Sequence, residues 1–152
     1  MRVLLDTNVL LRMAQPAHRH HADAAAAVRL MLGRSDELLI VPQNLYEFWV
    51  VATRPTSVNG LGFTAAQADL DLARLTGPFT LLSEIPAIYS EWRQLVTTHN
   101  ILGKNAHDAH LVAAMLVHGV SNLLTFNDQD FARFTSISVW TPAMILSPPS
   151  TP

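Results

Sequence analysis

The sequence contains no cysteine. This excludes thiolate metal sites, thiol redox chemistry and cysteine nucleophiles, and it agrees with a reducing compartment. Charged residues are also sparse, at 14% of 152 residues, with 10 basic against 12 acidic side chains and a formal net charge of −2. The basic excess usual in a general polyanion binder is therefore missing. That argument weakens if acidic residues cluster on divalent cations, because such a site is neutral or positive in use. Charge alone leaves nucleic acid open as a partner. No apolar run approaches the ~20 residues of a membrane span. Asp6 interrupts the first apolar run too early for a secretory leader. The expectation is a cytoplasmic protein with no membrane association, and the chain shows no internal repeat and no run of like charge.

Hydrophobic residues, by contrast, make up 49% of the chain. The length fits one domain with an ordinary core. The apolar surplus implies surface covered by a partner, either a second copy or another protein.

The chain is organised around its opening. Val3-Leu4-Leu5 is too short for a helix and fits a strand buried on both faces. Asp6, Thr7 and Asn8 follow, and then Val9, Leu10 and Met13 open a helical stripe. Asp6 is thereby expected at the carboxyl end of a buried strand, where open parallel sheets place ligands. A carboxylate there is costly unless it is hydrogen-bonded, paired or bound to a cation. Thr7 and Asn8 can orient it or cap the helix. The purely structural reading of Asp6 is a helix-capping residue.

Downstream, His18-Arg19-His20-His21 precedes an alanine-rich helix from Ala22 to Leu32, with Gly33 at its C-cap. The histidine spacing matches no metal motif and reads as a polar approach to the helix. Leu38 to Val41 is a second strand stopped by Pro42, and a helix from Gln43 to Thr53 presents Leu45, Phe48, Trp49 and Ala52 on one side. Glu47 lies on that helix, a turn or two past the strand. Residues 54–62 form a loop, and Thr64-Ala65-Ala66-Gln67 is a capping box opening a helix to Leu75. Phe79 to Leu82 is a weaker strand, followed by a helix from Ala87 to His99. A further helix spans Ala106 to His118 with Asp108 in its first turn, where the helix dipole alone favours a carboxylate. Leu123-Leu124 is a fourth strand, with Thr125 and Asn127 at its end. Asp128 and Asp130 open a short helix through Phe134, and Ile137 to Trp140 is a last strand. Thr141 onward is proline-rich, so residues 142–152 are expected to be a fraying tail after a domain of residues 1–141.

Strands alternating with helices predict an α/β domain with a parallel sheet and right-handed crossovers. In a parallel sheet the strand ends point one way. Asp6, Glu47, Asp108 and the Asn127-Asp128-Asp130 cluster then converge on one cleft. Like charges at such range raise one another's pKa unless a counter-charge is present. An all-oxygen donor set suits Mg²⁺ or Mn²⁺ rather than Zn²⁺, and such ions suit phosphodiester hydrolysis.

With these residues in place, the chain resembles the PIN-domain ribonucleases, and within them the VapC toxins of type II toxin–antitoxin systems. The resemblance is carried by Leu5-Asp6-Thr7-Asn8-Val9-Leu10, Glu47, His107-Asp108-Ala109, and Leu124-Thr125-Phe126-Asn127 through Asp130-Phe131. It spans nearly the whole chain in order. It implies an α/β/α sandwich with a short, mainly parallel sheet, an Mg²⁺- or Mn²⁺-dependent endoribonuclease, frequent homodimerisation, and inhibition by a separately encoded antitoxin. By that resemblance Asp6 and Asp108 are metal-binding aspartates, and Glu47 binds metal directly or through water. Asp128 is assigned as the further catalytic acid, with Thr7, Asn8, Thr125 and Asn127 in support. Asn127 is an amide where many relatives carry a carboxylate; it can still offer a carbonyl oxygen or hold a metal-bound water but adds no charge, and Asp128 or Asp130 can make up for it, which leaves one metal or two open. Arg12, Arg54 and Lys104 are candidate phosphate contacts to RNA.

Two other readings compete. A PIN scaffold whose metal site has decayed would serve only as a binding module, an idea fed by Asn127. An aspartyl-phosphate phosphatase would use Asp6 as nucleophile, but it needs an acid two residues on, where this chain has Asn8.

Overall fold

The computed structural model describes residues 1–147. In chain order the elements are β1 (Arg2–Leu5), α1 (Thr7–Met13), α2 (His21–Gly33), β2 (Glu37–Ile40), α3 (Pro42–Thr53), α4 (Ala65–Thr76), β3 (Thr80–Leu81), α5 (Pro86–Thr98), α6 (Asn105–Val117), β4 (Asn122–Leu124), α7 (Asp128–Phe131), β5 (Ser138–Trp140) and α8 (Pro142–Leu146). The strands form one sheet in the order β3-β2-β1-β4-β5, with every pairing parallel.

The period of two in the strands divides the core into two layers. Val3, Leu5, Leu38, Ile40 and Leu124 pack with Val9, Leu10, Ala27, Met31 and Phe48 of α1, α2 and α3. Leu4, Leu39 and Leu123 point to the opposite layer and meet Ile88, Leu111, Val112 and Met115 of α5 and α6. Burial on both faces explains why β1, β2 and β4 read as continuous apolar runs. The fold is thus the expected three-layer α/β/α sandwich.

This order also fixes where a site can form. From β1 the chain steps outward to β2 and β3, then crosses back to place β4 on the other side of β1. The strand order therefore reverses between β1 and β4, and a crevice opens at their carboxyl ends. There the Asp6 N–H donates to the Leu124 carbonyl at 2.9 Å, tying the two strand ends together.

Local signals explain most boundaries. Thr64 Oγ1 accepts from the Gln67 N–H at 3.1 Å and Gln67 Oε1 accepts from the Thr64 N–H at 2.9 Å, which is the expected capping box. Three expectations need correction. Helix α2 runs through Gly33, and the left-handed residue that follows it is Ser35, at φ 63°. Helix α7 ends at Phe131 rather than Phe134. The proline-rich tail does not fray from Thr141. Pro142 starts α8, whose buried Pro142 and Ile145 pack the helix into the core layer around α2. Proline at the first helical position has no N–H to lose there, and Thr141 Oγ1 caps the turn by accepting from the Met144 N–H. The rest of the expected tail, 148–152, lies outside the described residues.

Candidate active site

Asp6 leaves β1 in an extended conformation and ends 8% exposed. Its Oδ2 accepts from Thr125 Oγ1 at 2.7 Å and from Asn8 Nδ2 at 2.9 Å. Asn8 Nδ2 also donates to Thr125 Oγ1 at 3.0 Å, and Asn8 Oδ1 accepts from the Phe126 N–H at 3.2 Å. Asn8 is therefore a strut between the two strand ends and carries no proton for an aspartyl-phosphate mechanism. Thr125, fully buried, also takes the Asn127 N–H on its hydroxyl at 3.0 Å.

Glu47 is held by two elements. Its Oε2 accepts from Thr7 Oγ1 at 2.7 Å, and its Oε1 accepts from Gln43 Nε2 at 2.6 Å. Gln43 lies one turn earlier on α3, so the i, i+4 spacing aligns the pair. The Gln43 amide is fixed in turn, donating to the His107 carbonyl at 2.9 Å and meeting His110 Nδ1 through its oxygen. His110 Nε2 faces Glu84 Oε1 at 2.8 Å. Beneath Thr7 sits the fully buried Asn44. Its Nδ2 donates to the Leu5 carbonyl at 3.0 Å and to Thr7 Oγ1 at 3.2 Å, while its Oδ1 accepts from the Val41 N–H at 2.8 Å. Asn44 so joins β1, the start of α3 and the Thr7–Glu47 contact.

These side chains open on a cleft of about 510 Å³ lined by Asp6, Glu47, Asp108, Asn127 and Asp130, with Tyr46, Arg54 and His107 at its walls. Burial pushes the Asp6 carboxyl up to about 6; the Thr125 hydroxyl opposes that rise and the Glu47 charge adds to it. Asp108 is likewise pushed up to about 6, by burial first and then by Asp6, Asp130 and Glu47, with His107 opposing. None of these four acids forms an ion pair among the described residues, although Arg54 shares their cleft.

Of the residues singled out from sequence, the cleft gathers Asp6, Thr7, Asn8, Glu47, Arg54, Asp108 and Asn127. Thr125 supports them from below. Asp128 does not line the cleft, and Asp130, two residues on, does; residues so spaced project from different sides of a helix. Arg12 turns to Gln15 Oε1 at 2.8 Å, and Lys104 stands exposed before α6; neither lines the cleft. Sequence reasoning missed Gln43, Asn44 and the His110–Glu84 contact. Two adjacent amides directly after Pro42, one of them three residues before Glu47, were the available signal.

A divalent cation fits this donor set. The inward groups are hard oxygens, several like charges meet with no ion-paired basic residue among the described residues, and two of them hold their protons well above the ordinary carboxylate range. Among the described residues no three His, Asp or Glu side chains are gathered tightly enough to hold an ion as they stand.

Comparison with known proteins agrees with the fold. The PIN domain family model matches residues 3–136. No curated protein matches the chain. Among solved structures, the chain is similar to VapBC2 from Rickettsia felis bound to a promoter DNA fragment, at 14% identity, over 93% of this chain and 98% of that one, with a TM-score of 0.71. It is similar to the sarcin-ricin loop cleaving toxin VapC20 of Mycobacterium tuberculosis at 16% identity, over 87% and 95%, with a TM-score of 0.67. A toxin–antitoxin complex from Klebsiella pneumoniae matches at 21% identity, over 92% and 97%, with a TM-score of 0.64. At these identities the structures share the fold, while the family model spans most of the chain: this protein belongs to the PIN domain family.

Proposed function

We propose that this chain is a divalent-cation-dependent endoribonuclease acting as the toxin of a toxin–antitoxin pair. The observation that carries the reading is the convergence of Asp6, Glu47, Asp108 and Asp130 on one open cleft without an ion-paired basic residue. Asp6 and Asp108 would hold Mg²⁺ or Mn²⁺, with Glu47 completing the set directly or through water. When bound, such an ion polarises the scissile phosphate and lowers the pKa of water.

The chain's own groups do the rest. Thr125 and Asn8 hold one oxygen of Asp6, fixing how its other oxygen meets the cleft. Thr7 and Gln43 fix the Glu47 carboxylate, which serves as proton acceptor for the attacking water. Arg54 at the cleft wall contacts a phosphate. Water adds to phosphorus in one step as a P–O ester bond breaks, so the products are a phosphate on one fragment and a hydroxyl on the other. No cyclic phosphate forms, because the RNA's own 2′-hydroxyl is not the nucleophile.

The similar VapC20 is described as cleaving the sarcin-ricin loop, which supports RNA as the substrate class. The similar structure from Klebsiella pneumoniae is a toxin–antitoxin complex, and that from Rickettsia felis is VapBC2 on promoter DNA, which supports an antitoxin as partner. A second copy of the chain is the other proposed partner. The exposed Val50, Leu70, Tyr89 and Leu102 offer apolar surface for both. The cytoplasm is the proposed compartment, supported by the absence of cysteine.

The test is cleavage of total cellular RNA by purified protein with Mn²⁺ or Mg²⁺, with EDTA, and by Asp6→Ala. Discrete fragments that vanish with EDTA and with the substitution support the nuclease. A second reading, a PIN-fold binding module without catalysis, is favoured by the amide at Asn127. Absence of cleavage by folded protein in any metal would select it.

A further inference from the structure

We propose that the corner between α1 and α2 is a ledge for single-stranded RNA leaving the carboxylate cleft, with phosphates on Arg12 and Arg19 and a base stacked on the ring row that His18 and His20 form. The nuclease reading supplies the occupant, and the ledge itself is built from residues outside the cleft. His20 lies 5.0 Å from the Phe126 ring, tilted by 31°, and His18 lies 5.5 Å from His20, tilted by 35°. The His20 N–H donates to His18 Nδ1 at 3.0 Å, which fixes the outer ring. Phe126 follows Thr125 directly, and its N–H is bound by Asn8, which in turn binds Asp6. Three rings in series therefore begin two hydrogen bonds from the active-site aspartate.

Positive charge gathers on the same corner. Burial and then the neighbouring Arg19 push the Arg12 guanidinium down; His18 is pushed down by its surroundings and by Arg12, His20 and Arg19. Among the described residues neither Arg12 nor Arg19 forms an ion pair, and Asp23 in the first turn of α2 forms none. Helix α2 begins at His21 with no side-chain cap, so its N-terminal N–H groups add to the positive field. In a chain of net charge −2, this crowding of unneutralised cations marks an anion's path. An acidic peptide would answer the charge alone. A row of ring faces beside it is what unstacked bases use, so charge and rings together select single-stranded RNA.

The test is fluorescence anisotropy with a labelled short oligouridylate in EDTA, where the RNA is held but not cut, using the full chain. Arg19→Ala is expected to weaken binding severalfold and to reduce the log–log salt slope by about 0.7. His20→Ala is expected to weaken binding about fivefold or more, with His20→Phe restoring it. Circular dichroism confirms that each variant is folded, and both positions lie on the surface turn before α2. Wild-type cleavage with binding unchanged in Arg19→Ala and His20→Ala would overturn the ledge and spare the nuclease. RNA bound through Arg19 by a wild type that cleaves nothing in any cation would overturn the nuclease and keep the ledge. Binding of a poly-glutamate peptide in place of the oligouridylate would assign the corner to an acidic protein and overturn the proposal.

Discussion

Replacing Asp6 with asparagine should make the metal-free protein more stable, by an amount that depends on pH. The Asp6 carboxyl titrates at about 6 in the folded chain against an ordinary value of 3.8. The folded state thus holds the proton more tightly than the unfolded one. This contribution is complete below about pH 4 and is lost as pH rises through 6. The gap of about 2 units, at 1.36 kcal/mol per unit, means that ionised Asp6 costs about 3 kcal/mol above that range. Asparagine keeps an acceptor for Thr125 and Asn8 but carries no charge. Urea denaturation in EDTA across pH should therefore show the two proteins diverging as pH rises, until Asp6→Asn leads by about 3 kcal/mol near pH 8. In melting temperature, that lead is about 6–12 °C for a chain of this size. Saturating Mn²⁺ should close the gap for wild type only, since a ligand at about a hundred times its Kd contributes about 2.7 kcal/mol. A difference that stays flat across pH, or an Asp6→Asn protein less stable near pH 8, would refute the reasoning.

Three further outcomes follow from named contacts. Asn44→Ala should lower the urea midpoint, because the Val41 N–H and the Leu5 carbonyl lose their buried partner at about 1–3 kcal/mol each. Asp130→Asn should lower the Asp108 carboxyl titration seen by NMR and reduce RNA cleavage, while Asp128→Asn leaves both unchanged, because only Asp130 lines the cleft and raises Asp108. Ile145→Ala should cost about 2–5 kcal/mol in the same denaturation assay, since this residue is buried in the layer around α2; a frayed tail would show no change.

Much of the architecture was legible because each local signal agreed with the others. Val3-Leu4-Leu5 reads as a strand buried on both faces because it is one, with Val3 and Leu5 in one layer and Leu4 in the other. Asp6 at its end, and Thr125 at the end of β4, mark the place where the strand order reverses. What escaped the sequence depends on partners distant in the chain. Asn44 is a polar residue on an apolar helix, and its burial makes sense only once Leu5 and Thr7 stand beside it. His18-Arg19-His20 reads as an ordinary polar turn until Phe126, more than a hundred residues away, comes to rest against His20. Asp128 and Asp130 are alike in sequence, and only the direction of a four-residue helix separates them. Pro142 misled because a proline before a short apolar run can end a domain or start a helix.

Asp6 and Asp108, supported by Glu47, are the residues we propose to hold a divalent cation. Isothermal titration of Mn²⁺ into metal-free wild type and Asp108→Asn near pH 8 tests this most directly. Wild type should bind saturably, and the variant at least tenfold more weakly. Wild-type protein that is folded and binds no Mn²⁺, or binds it equally well without Asp108, would contradict it.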